Sequence, residues 1–213
     1  MAFKKSDMKN EGGREFESFL EAQSVFEDSN ADSSHRLNAI EYIVQHQEIY
    51  YVLEMLSKLF KENTVEENKY IDCAFVGFKV KPKREKDFEE MFKMLKSDNA
   101  YLRNAVITFL QEYGADAKEF ILKLMEDKDK DIRIFAINIL GDVRFEDSVD
   151  MLRHFIVKEN DVNALMTAVD YLGEIGDKND IDLLNAIAQD NKDDEYIQFG
   201  IKMAVNRIMG GKK

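Results

Sequence analysis

"DKDKDIRIFAINILG", residues 127–141, runs three aspartates alternating with lysines straight into an apolar stretch. Two readings compete for it, half of a calcium loop and the turn before a helix. A loop of the EF-hand type wants oxygen ligands at positions 1, 3 and 5, glycine at 6 and a bidentate glutamate at 12. Counted from Asp127, the three ligands are present, but position 6 is Ile132 and position 12 is Asn138. Ile132, Phe135, Ala136, Ile139 and Leu140 recur at helical spacing, so Asn138 belongs to a continuous helix and the loop cannot close. Aspartates at a helix start accept hydrogen bonds from free backbone N–H groups and suit the positive end of the dipole. The stretch reads as a turn leading into a helix.

The same arrangement recurs. "SDNAYLRNAVITFLQEYG", "DKDIRIFAINILGDV", "NDVNALMTAVDYLGEIGD" and "KDDEYIQFGIKMAVNRI" align on Asp98, Asp129, Asp161 and Asp193, spaced by 31, 32 and 32 residues. A second amphipathic segment follows each of the first three: "ADAKEFILKLMED", "EDSVDMLRHFIVKE" and "KNDIDLLNAIAQD". Two helices per fixed period mark an α-solenoid, in which stacked neighbours bury stripes that one pair cannot bury alone. Upstream the pattern degrades but persists, giving five predicted helix pairs over 33–61, 65–96, 98–127, 129–159 and 161–190. A capping helix is predicted over 193–209. "EFESFLEAQSVFE" predicts a short first helix with Phe16, Phe19, Leu20 and Phe26 on its apolar side. The expected organisation is a disordered lead over 1–14 and a single solenoid domain over 15–213. Ala136 and Ala168 mark close helix contacts, and Gly141 and Gly173 are expected to end their helices with positive φ.

Composition agrees with an all-α fold. One proline and ten glycines in 213 residues are few for a β-rich chain. Hydrophobic residues make up 45%, enough for a core, and charged residues 34%. The net charge of −12 opposes phosphate backbones, so nucleic acid is not an expected partner. The single cysteine, Cys73, sits in the apolar run "YIDCAFVGF" and reads as a buried, inert thiol. No stretch approaches the ~20 apolar residues of a membrane span, and the N-terminus lacks the apolar core of a signal peptide. The expectation is a soluble, cytoplasmic protein with no membrane partner.

"DKDIRIFAINILGDV" and "NALMTAVDYLGEIGDKNDIDLLNAIAQD" resemble HEAT repeats, and most closely the short repeats of the phycobilisome-lyase-like group. Asp131, Ile132, Arg133, Ala136, Leu140 and Gly141 match that pattern in one unit. Ala168, Leu172, Gly173, Ile175, Gly176 and Asp177 match it in the next, and Arg103 takes the arginine position one unit earlier. The resemblance is strong over 98–190 and weak over 30–96. Leu165 stands where the fifth unit would carry arginine, and no proline opens a second helix. The resemblance implies a right-handed stack whose second helices line a concave, protein-binding face.

The sequence carries no catalytic constellation. His35, His46 and His154 are read as lying on different helices, and none belongs to an H-E-x-x-H pair. There is no nucleophile motif and no phosphate-cradling glycine loop. Deoxyhypusine-hydroxylase-like proteins hold iron through His-Glu dipeptides, and this chain has none. HEAT-like DNA glycosylases resemble a basic groove lined with tryptophan, and this chain is acidic with no tryptophan. "KVKPKREK", residues 79–86, is the one basic island. It reads as a solvated loop between two helices, the alternative being a dock for an acidic peptide, nucleic acid or lipid headgroup. Met91, Met94, Met125, Met151 and Met166 sit at core spacing.

The expected function is a non-enzymatic scaffold or adaptor that presents a curved, acidic helical surface to a protein partner with a basic surface, without a cofactor or metal. The alternative is an accessory subunit of an enzyme such as a bilin-lyase-like complex. Helical geometry places Ile181, Leu184, Ala188, Val149 and Leu152 toward the core. The outward polar positions Lys123, Asp150, Arg153, Asp182 and Asn185 are the candidate partner-binding residues.

Overall fold

A computed structural model describes residues 16–61, 65–79, 81–143 and 146–210. The expected lead over 1–14 lies outside them. Among the described residues there are twelve α-helices, two 3-10 turns and no strand, and the chain is an all-α solenoid of HEAT-like helix pairs. It divides into two compact units, Met1–Tyr113 and Gly114–Lys213.

The first unit holds α1 (Phe19–Glu27), α2 (Ser33–His46), α3 (Ile49–Leu59), α4 (Val65–Gly77), α5 (Glu85–Leu95) and α6 (Ala100–Tyr113). The first helices of successive pairs stack in the order α2, α4, α6, with α3 against α5 and α1 against α2. Phe26, Phe60 and Tyr70 form its aromatic centre, all essentially without exposure. Phe26 meets Phe60 and Tyr70 edge-on at 5.8 and 5.6 Å. Leu20 departs from its expected core role and is 73% exposed, because α1 turns only Ala22 and Phe26 fully inward.

The second unit holds α7 (Lys118–Met125), α8 (Lys130–Val143), α9 (Ser148–Lys158), α10 (Val162–Ile175), α11 (Ile181–Asp190) and α12 (Glu195–Gly210). Here α8, α10 and α12 stack as first helices. The expected stripe is buried at Ile132, Ala136, Ile139 and Leu140 and half-buried at Phe135. All five methionines assigned to the core are buried.

The capping register corrects the alignment at two points. Asp129 and Asp161 accept from the first amides of α8 and α10 as expected. For α6 the acceptor is Asn99 rather than Asp98, and for α12 it is Asp194 rather than Asp193. Each helix starts one residue later than the aligned aspartate suggests, which puts the following side chain within reach of the free N–H groups. Asn99 also donates through Nδ2 to the Phe60 carbonyl at 3.1 Å, tying the start of α6 to the end of α3.

Gly141 and Gly173 do not end their helices. They lie inside α8 and α10, and the described glycine with positive φ is Gly114, at 72°, just past α6. Their role is close approach. A Cβ on Gly141 would fall 2.0 Å from the Tyr171 ring, and one on Gly173 would fall 2.9 Å from the Ala204 Cα. The second contact is backbone against side chain, so relief requires α10 and α12 to move apart. Gly173→Val is therefore expected to cost about 1–3 kcal/mol in urea unfolding. Gly210→Ala, with open space around it, serves as the neutral control.

Candidate functional site

The second helices α7 and α9 enclose a groove of about 640 Å³ in the second unit. Leu122, Met125, Met151 and Phe155 supply its apolar surface. Met151, His154, Phe155 and Lys158 follow the i, i+3, i+4, i+7 spacing, which sets one face of α9 toward the groove. Five carboxylates line it, Glu126, Asp127, Asp150, Glu159 and Asp161, against the bases Arg133 and Lys158.

One wall is a salt bridge between the two helices of one pair. Arg133, on α8, donates through Nε and Nη2 to Glu159 at 2.6 and 2.7 Å, and through Nη1 to the Asp127 and Lys128 carbonyls. The two side chains are 17% and 4% exposed. Glu159 in turn accepts from the amides of Asn160 and Asp161. Burial pushes the Glu159 carboxyl up, but the hydrogen bonds from Arg133 and these amides outweigh it and hold it below the ordinary range. Asp161 is also lowered, first by the Ala164 amide and against some burial, with Lys130 assisting.

These shifts set an acid response. A carboxyl lowered in the fold adds stability that is complete above its unfolded pKa of about 4 and is lost as pH falls through the folded value. The thermal midpoint is expected to fall below about pH 4. Glu159→Gln should have a lower midpoint at neutral pH and a shallower acid fall. Calorimetry across pH checks this, and an unchanged acid slope in the variant would contradict it.

Asp127 accepts from the Asp129 amide and Asp129 from the Asp131 amide, and α8 runs unbroken through Asn138. DKDKD is a turn between pairs and part of the groove's rim.

Of the five candidate residues, Asp150 lines the groove and is 74% exposed. Lys123, Asp182 and Asn185 are exposed but lie outside its lining. Arg153 is engaged internally, donating to Asp180 at 2.5 and 3.2 Å and to Asp150 at 2.8 Å. The inward assignments put Leu152 and Leu184 in the core, with Val149, Ile181 and Ala188 half-buried. Sequence reasoning followed polarity and so passed over Met151, His154 and Phe155. Their spacing was the available signal.

The histidines are not each on separate helices. His35 and His46 both belong to α2, and His46 Nδ1 bonds the Tyr42 carbonyl. Burial, with Glu41 and Asp72 adding to it, pushes the half-buried Cys73 thiol up to about 12, so it stays protonated. Among the described residues, no group of three His, Cys, Asp or Glu is placed to hold a metal ion. No helix among them is long and apolar enough to cross a membrane.

The basic loop is more tied down than a solvated loop. Lys81 donates to the Tyr113 carbonyl at 3.3 Å, and the Tyr113 hydroxyl donates to the Pro82 carbonyl. Arg84 pairs with Glu48, and Arg84 and Lys86 both lie over the Tyr50 ring. Lys79 and Lys83 are exposed.

Helix pairs, internal arginine–carboxylate joints and a groove lined by second helices are the features of an all-α solenoid of HEAT-like helix pairs. The family model described as HEAT repeats matches residues 117–198, from the turn before α7 into α12. No curated protein matches the chain.

Proposed function

We propose that this protein is a non-enzymatic scaffold or adaptor that binds a protein partner through the second helices of its repeats. The observation that carries the reading is the α7–α9 groove, whose apolar floor is half-buried Leu122 with the edges of Met125, Met151 and Phe155, and whose wall is fixed by Arg133 and Glu159. A fixed wall keeps the ordering cost of binding low, and HEAT repeats serve generally as protein-interaction scaffolds. The acidic balance of the chain favours a partner with a basic surface. The short-repeat, phycobilisome-lyase-like subtype is supported by the Asp131-Ile132-Arg133, Ala136 and Leu140-Gly141 pattern.

The test is affinity capture from native lysate with the wild-type chain as bait, at low and high salt. The expected result is one protein retained in near-equal amount and released by salt, since exposed charge attraction is screened. A bound chromophore or small molecule without any retained protein would replace the scaffold reading with that of an enzyme subunit.

A further inference from the structure

The groove is specific enough to say what kind of segment fits it. Its apolar contacts come from Met125, Met151 and Phe155, and methionine adapts to varied apolar guests. Met151 and Phe155 lie one turn apart on α9, the spacing with which a helix-in-groove contact meets anchors at i and i+4. The charges are not spread evenly. Asp150 stands in the first turn of α9, while Glu126, Asp127 and Asp161 cluster at the helix C-terminal ends and their turns. From Asp150 to Lys158 the helix rises about 12 Å. Arg133 neutralises Glu159 at the C-terminal end of α9, and Arg153 donates to Asp150 at the other end, so the negative charge of the groove gathers with Glu126, Asp127 and Asp161. The C-terminal ends of α7 and α9 add the negative ends of their dipoles to the same side.

We propose that the α7–α9 groove binds an amphipathic helical segment of a partner protein, with two large apolar anchors one turn apart and a lysine or arginine about a turn beyond the anchor nearer the C-terminal ends of α7 and α9. The proposal rests on the scaffold reading and names the chemistry of its partner. The anchors cover Met125, Met151 and Phe155. The flanking cation meets Glu126 with the turn carboxylates, while Asp150, which already accepts from Arg153, adds to the acidic rim at the far end.

The probes are three labelled synthetic peptides followed by fluorescence anisotropy. One is an amphipathic lysine–leucine helix, one its glutamate–leucine counterpart, and one a lysine–alanine peptide of the same charge. The lysine–leucine peptide is expected to bind, and the other two to bind at least about tenfold more weakly. Glu126→Lys/Asp150→Lys changes only exposed groove residues and should weaken the lysine–leucine peptide about tenfold, with unchanged helical circular dichroism. Asp182→Lys/Asp190→Lys makes the same charge change on α11, outside the groove, and should leave binding within about twofold. Equal loss in both variants would mean bulk charge attraction and would overturn the groove assignment. Equal binding of the lysine–alanine peptide would overturn the apolar half of it. Lysate capture separates the two readings: a partner retained equally by wild type and the groove variant leaves the scaffold standing and removes the groove.

Discussion

Phe26→Ala is expected to lower the thermal midpoint by roughly 8–16 °C, the equivalent of about 3–5 kcal/mol spread over a chain of this length. Phe26 has no exposure and sits between two rings at edge-on geometry. The Arg36 guanidinium lies 5.6 Å from its centroid and donates to its carbonyl at 2.9 Å. Removing the ring leaves a cavity bounded by Phe60, Tyr70 and α1, and these cannot collapse into it without moving a helix. Phe26→Leu retains most of the apolar volume and should recover more than half of the loss. Scanning calorimetry on the three proteins decides the matter. A shift under about 3 °C for the alanine variant would mean that α1 adds little to the first unit.

The second large effect concerns Arg153. The Asp180 side chain is 1% exposed and accepts from Arg153 and from the Asp177 amide. Arg153 holds its proton more tightly than an ordinary guanidinium, first because of its hydrogen bond to Asp180. Arg153→Leu leaves a buried carboxylate without its cation. Breaking such a pair costs about 3–5 kcal/mol when both groups are buried. Arg153 is about one-third exposed, so solvent screens part of this and about 2–3 kcal/mol is expected. The double variant Arg153→Leu/Asp180→Asn should be more stable than the single, because it removes the stranded charge while the amide can still accept from Asp177. Urea unfolding gives the cycle, and a single-variant loss below about 0.5 kcal/mol would contradict the pairing. A charge reversal at Arg153 is for this reason a test of stability and a poor test of partner binding.

The order of helices was legible because each pair repeats the same problem of burying two stripes. The predicted spans of all five pairs contain the observed helices to within their ends. Close packing was less legible. Gly141 and Gly173 look like helix terminators in a linear string, and only the position of the neighbouring helix shows that Tyr171 and Ala204 need their missing side chains. Caps slipped by one residue at Asn99 and Asp194, where two adjacent polar residues offer similar acceptors and the helix start chooses between them. Asp150 was found at the groove and Met151 was not, because a half-apolar groove is assembled from residues that also serve the core. The use of Arg153 was hidden for a related reason. Its partner Asp180 lies 27 residues away, in a turn whose burial no local pattern reveals.

The Arg133 and Glu159 atoms that join the two helices of one pair also form the groove wall at the C-terminal end of α9. A guest that pulled Glu159 toward its own cation would have to loosen the joint, and would lose part of what it gained. A guest that leaves the contact intact meets a surface already set before it arrives. The joint thus acts as a reading frame: it penalises a cation that draws on Glu159 and admits one that meets Glu126, so selectivity comes from stability.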